Sequence, residues 1–108
     1  MKGTDKTMDI PGRIKASLEK IPGIYWAFTY GEGLAEEIDL MVVGEPDLQE
    51  LDDIISQTEK GVGRAIDVTA FTLKEFRARW RAKEPFILEA VKGPKIMLIG
   101  KEKEIEAL

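Results

Sequence analysis

Two short stretches constrain this chain more than any others: Ile24-Tyr25-Trp26-Ala27-Phe28-Thr29-Tyr30 and Ile38-Asp39-Leu40-Met41-Val42-Val43. Both are rich in aromatic or β-branched residues, and both are apolar at odd and even positions alike. Side chains alternate across a strand, so a strand apolar on both faces has to be covered on both faces. The sequence around them supplies the cover. Ile10, Ile14, Leu18 and Ile21 recur at helical spacing until Pro22-Gly23 stops them. Asp47, three residues before Glu50, has the spacing of a capping box, and Leu48, Leu51, Ile55 and Thr58 then give one apolar face. Lys60-Gly61 is expected to close that helix, and Gly61-Val62-Gly63 reads as a helix stop rather than a dinucleotide fingerprint.

A third strand follows from Arg64 to about Phe71. Thr72 and Glu75 make a second capping box, Phe71 and Phe76 a hydrophobic staple, and Leu73, Phe76 and Trp80 the buried side of the next helix. A further helix runs from Glu84-Pro85 to Gly93-Pro94, then a strand at Ile96-Met97-Leu98-Ile99 and a charged helical tail from Lys101 to Leu108. The expected order is α-β-β-α-β-α-α-β-α, an α/β domain with a small mixed sheet of about four strands covered by helices. Residues 1–9 lack periodicity and read as a flexible tail; residues 10–108 form one domain.

Composition excludes much chemistry. With no cysteine and no histidine among 108 residues, disulfides, thiolate or imidazole zinc sites, cysteine nucleophiles and every histidine-based triad are absent. Ser17 and Ser56 are the only serines, and neither has a base other than carboxylate or lysine to call on. Chemistry or metal binding must rest on carboxylates, which favour hard ions such as Mg²⁺ or Mn²⁺. The net charge of −4, from 16 basic and 20 acidic side chains, weighs against a general nucleic-acid binder. No apolar run approaches the ~20 residues that cross a bilayer, and Met1 to Asp9 has no signal-peptide core, so a cytoplasmic protein is expected.

Three acidic residues interrupt the strands. Glu37 and Asp39 are two apart at the leading end of a strand, so their carboxylates share a face and leave Ile38, Leu40 and Val42 the other. Asp67 lies between Ile66 and Val68 in the third strand. A charge is unfavourable there unless something compensates it. One reading is a cage for one or two divalent ions that grip a triphosphate, with a carboxylate free to take a proton from an incoming hydroxyl. The other is structural: Glu37 at an exposed strand start, Asp39 paired with Arg64 or a lysine, Asp67 capping a turn.

The segment from Tyr30-Gly31-Glu32-Gly33 through Glu36-Glu37-Ile38-Asp39-Leu40-Met41-Val42-Val43-Gly44 resembles the signature region of the minimal nucleotidyltransferases of the DNA polymerase β superfamily. In that family a strand, a Gly-Ser turn and a helix precede an Asp-x-Asp strand, and a third carboxylate lies on the next strand. Glu37 and Asp39 match the pair, and Asp67 in Ala65-Ile66-Asp67-Val68 matches the third. Later stretches, Phe71-Thr72-Leu73-Lys74-Glu75-Phe76, Glu84 to Glu89 and Gly93-Pro94-Lys95-Ile96, are also similar, so the likeness spans roughly residues 13 to 100. It implies a nucleotidyltransferase fold, and Mg²⁺ or Mn²⁺ held by Glu37, Asp39 and Asp67. It also implies transfer of a nucleoside monophosphate from a nucleoside triphosphate to a hydroxyl, with Asp67 as base.

The departures fall on the nucleotide-binding loop. Gly31 is kept, but Glu32 stands where the family has Ser, only five residues separate Gly31 from Glu37, and Glu37 replaces Asp. The family's turn holds phosphates through backbone N–H groups and the Ser side chain. A degenerate loop implies weakened or lost transfer, and the competing reading is a non-catalytic binding or regulatory module, antitoxin-like or homodimeric. Some relatives carry a winged-helix DNA-binding domain, for which the twenty or so residues before the first strand are too few; others pair with a helical toxin. The cationic stripe Lys74, Arg77 and Arg81 reads as a solvated helix face, and Trp26 and Trp80 as core.

Overall fold

A computed structural model describes residues 9–31 and 36–108. Nine elements follow in the expected order: α1 (Ile10–Leu18), β1 (Ile24–Tyr30), β2 (Glu37–Gly44), α2 (Leu48–Val62), β3 (Ala65–Phe71), α3 (Leu73–Arg81), α4 (Pro85–Lys92), β4 (Lys95–Ile99) and α5 (Glu102–Glu106). The four strands form one mixed sheet in the order β3-β2-β1-β4. β1 is antiparallel to both β2 and β4, whereas β2 and β3 are parallel, as a helical crossover through α2 requires. The two strands that are apolar on both faces are the two central ones.

Each face of the sheet has its own core. Ala27, Ile38, Leu40, Val42, Ile66 and Leu98 point to one side, where Ile10, Ile14 and Leu18 of α1 and Leu51, Ile55 and Val62 of α2 meet them. Trp26, Phe28, Met41 and Val43 point to the other, against Phe76 of α3, Ile87, Ala90 and Val91 of α4 and Ile105 of α5. The α1–α2 seam also holds a partly buried hydroxyl pair, in which Thr58 Oγ1 lies 2.9 Å from Ser17 Oγ. Ser17 is thereby tied up, since its own hydroxyl donates to the Arg13 carbonyl at 3.1 Å.

Local signals explain the element ends. Asp47 Oδ1 accepts the Glu50 N–H at 3.0 Å and starts α2. Thr72 and Glu75 form both halves of the capping box on α3, at 3.1 and 2.9 Å, and the Phe71 and Phe76 rings lie 6.3 Å apart as the staple requires. Three details depart from expectation. α2 runs through Gly61 to Val62, because the residue that takes the left-handed conformation is Gly63, φ 70°, whose N–H reaches the Glu59 carbonyl at 2.9 Å. Leu48, the first residue of α2, is 67% exposed and does not join the buried face. The buried stripe is Leu51, Ile55, Thr58 and Val62. Trp26 is core as expected, while Trp80 is only partly buried against the second cluster. Among the described residues no helix is long and apolar enough to cross a membrane. The expected tail lies, apart from Asp9, outside the described residues, and so does Glu32.

Candidate metal centre

Strand register builds the site. Asp39 and Asp67 stand directly opposite each other across the parallel β2–β3 pair, and Glu37 is one pleat before Asp39 on the same face. One oxygen from each of Glu37, Asp39 and Asp67 lies within 4.8 Å of the others, with Glu37 and Asp67 exposed and Asp39 half-buried. The expected convergence is therefore present. The structural alternative holds for Glu37, the exposed first residue of β2, but not for an ion pair on Asp39: among the described residues the ion pairs are Arg79–Glu84 and Lys95–Glu102, and neither involves these three carboxylates. Arg64, the suggested partner of Asp39, donates to the Gly63 carbonyl at 3.2 Å instead.

The donor set fits a hard divalent cation. Ligand oxygens about 2.1 Å from Mg²⁺ lie at most about 4.2 Å apart. Closing from 4.8 Å thus asks only a small side-chain rotation of exposed carboxylates.

The same register places residues that sequence reasoning did not single out. Tyr30 of β1 pairs with Asp39 on one side and with Lys95 of β4 on the other. Asp67, Asp39, Tyr30 and Lys95 thus form a row across all four strands on one face. Burial raises the Tyr30 hydroxyl above its ordinary pKa; a hydrogen bond with Thr69 works against this, and the Asp39 and Asp67 carboxylates add to it. Lys95 does not neutralise the triad. Its side chain is nearly buried, its ammonium donates to the Val91 carbonyl and pairs with Glu102 at 2.7 Å, and it so joins the end of α4 to the start of α5. Only strand pairing identifies this row; neither Tyr30 nor Lys95 carries a local sequence signal.

Gly31 closes the site at the end of β1. Its φ is 87°, and a Cβ built there would lie 3.5 Å from Asp39 Oδ2. Its backbone N–H, the group expected to meet a phosphate, donates to the Pro94 carbonyl at 3.1 Å and extends the β1–β4 ladder.

Solved structures place this geometry in context. The chain is similar to the antitoxin of the toxin–antitoxin pair MntA–HepT, with a TM-score of 0.64 and 16% identity over 93% of this chain and 78% of the other. The fold is nucleotidyltransferase-like. A second neighbour is from a complex of a tri-AMPylated Shewanella oneidensis HEPN toxin with its MNT antitoxin, with a TM-score of 0.60 and 15% identity over 94% and 78% of the two chains. A third is from a toxin–antitoxin complex with AMP-PNP, with a TM-score of 0.62 and 15% identity over 90% and 78%. No family model and no curated protein matches the sequence.

Proposed function

We propose that this chain is a nucleotidyltransferase-like domain that holds Mg²⁺ or Mn²⁺ on Glu37, Asp39 and Asp67, with nucleotide transfer weakened or lost. The convergence of these three carboxylates within 4.8 Å carries the reading. A divalent ion there would neutralise the phosphates of a nucleoside triphosphate and activate its transfer to a hydroxyl. Asp67, exposed on the edge strand, would accept the proton of that hydroxyl, the role the resemblance gives it. The phosphate grip is what has weakened: Glu32 replaces the Ser of the related loop, the loop is short, and the Gly31 N–H is committed to Pro94.

A partner-binding role accompanies the weakened site. The solved neighbours come from toxin–antitoxin complexes, which favours an antitoxin-like module over a free-standing enzyme. Calorimetry with Mn²⁺, and then with ATP and Mg²⁺, tests the proposal. The wild type should bind Mn²⁺, Asp39→Asn should lose at least about tenfold in affinity, and ATP should bind no tighter than roughly millimolar. Mn²⁺ binding that survives Asp39→Asn would remove the metal centre from the account. Metal-dependent ATP binding in the micromolar range would show an intact enzyme in place of a weakened one.

A further inference from the structure

β3 ends the sheet, so one side of its backbone faces no strand. In a parallel ladder alternate residues turn both backbone groups to the same side. Ile66 turns outward, and Glu59 of α2 takes its N–H at 2.7 Å. The alternation turns Val68 and Ala70 outward as well, and no backbone or side-chain group among the described residues takes their N–H groups. Beyond Ile66, α2 lends this edge no acceptor. A cavity of about 310 Å³ opens between Leu48, Ile55 and Val68, and a second of about 490 Å³ beside Ala70. The two meet at exposed Leu48, and every charged residue lining either one is a carboxylate: Asp52 and Glu59 in the first, Glu45 and Glu75 in the second.

Open edges are a liability that lysine, proline or a covering loop ordinarily removes. This one is apolar along its flank, acidic along its rim and open at two of its three outward residues. We propose that the β3 edge receives an extended segment of a partner protein, carrying apolar and lysine or arginine side chains in turn at every second residue on one face, as a fifth strand. Backbone bonds at Val68 and Ala70 supply the register, the Leu48 groove takes the apolar side chains, and the carboxylates Asp52 and Glu59 that line the same groove select the cationic side chains two residues along the same face. A second copy of this chain fits poorly, because pairing β3 with itself sets the same acidic rim against itself. The inference rests on the partner-binding part of the proposed function and locates where that partner docks.

The probe is an end-blocked peptide with threonine at every second position and valine and lysine taking turns at the positions between, compared with the same peptide carrying glutamate for lysine. Fluorescence anisotropy reads affinity, and amide hydrogen exchange by NMR reads the edge. The lysine peptide should bind at least about tenfold tighter than the glutamate peptide and slow exchange at Val68 and Ala70. Leu48→Ser, at an exposed position that leaves thermal unfolding unchanged, should weaken it by about tenfold. Equal binding of the two peptides, unchanged exchange at Val68 and Ala70, or full affinity in Leu48→Ser would each overturn the proposal. Concentration-dependent protection of those amides without peptide would also overturn it and assign the edge to a second copy. The measurement uses neither metal nor nucleotide nor a natural partner, so its failure counts against the groove and not against the metal centre or the existence of a partner.

Discussion

Asp39 and Asp67 face each other across a parallel strand pair, with Glu37 close by and no cation of the described residues paired to them. Like charges placed directly opposite destabilise a sheet by a few tenths of a kcal/mol up to about 1 kcal/mol. A bound cation would relieve that repulsion, which gives the proposed site a double signature. Asp67→Asn should lose Mn²⁺ affinity by at least about tenfold, yet unfold at equal or higher denaturant in the absence of metal, by roughly 0.2–1 kcal/mol. Urea titrations with and without Mn²⁺ measure both halves. A structural role for Asp67 predicts the reverse sign in the metal-free protein, because removing a turn cap destabilises. Glu37 and Asp39 were legible in the sequence as a same-face pair, because strand alternation is a local rule. That Asp67 meets them was not a matter of spacing, since the register of β3 on β2 is set by packing through α2. The resemblance anticipated it; periodicity could not.

Helices at this scale are defined by caps and by what they bury. α5 is the smallest, and Glu104 holds it. One of its oxygens accepts the Lys101 N–H and the Trp26 indole N–H, both at 3.0 Å, and those two hydrogen bonds, in that order, hold its pKa below the ordinary carboxylate value. A carboxylate depressed in the folded state contributes stability above its unfolded pKa and loses it as the pH falls through the folded one. Acid titration followed by Trp fluorescence should therefore show a change below the ordinary carboxylate range. Glu104→Gln should reduce that change while leaving the neutral-pH spectrum near wild type. The sequence marked the caps at Asp47 and Thr72 because Asp-x-x-Glu and Thr-x-x-Glu are short-range signals. It misplaced the end of α2 by two residues, since Gly61 and Gly63 are alike locally and only the chain's turn into β3 decides which one adopts positive φ.

The whole molecule is a sheet with a separate apolar core on each face, so loss on one side is not made good by the other. Phe76 is the sole fully buried side chain of α3, seated against Trp26 and Phe71 at ring distances of 6.0 and 6.3 Å. Phe76→Ala should cost about 3–5 kcal/mol. Against a total of about 5–15 kcal/mol for a domain of this kind, that change brings it close to unfolding. Chemical denaturation measures the loss, and retention of wild-type stability would show that α3 contributes little to the second core. α3 also carries its cations on the solvent side. Lys74, Arg77 and Arg81 are all exposed, as expected of a solvated stripe, and Arg81 also donates to the Leu108 carbonyl at 3.1 Å; beside them Arg79 pairs with Glu84 at 2.9 Å and stacks over Phe71.

The sequence by itself determined the element order, the two strands that had to be covered on both faces, the absence of thiol and imidazole chemistry and the shared face of Glu37 and Asp39. All of these follow from composition or from periodicity within one element. The tertiary structure decided the strand order β3-β2-β1-β4, the meeting of Asp67 with the pair, the row through Tyr30 to Lys95 and the open acidic edge of β3. Each of these depends on which strands become neighbours and in what register. That choice is made by burial of both sheet faces at once, which no single stretch of sequence encodes.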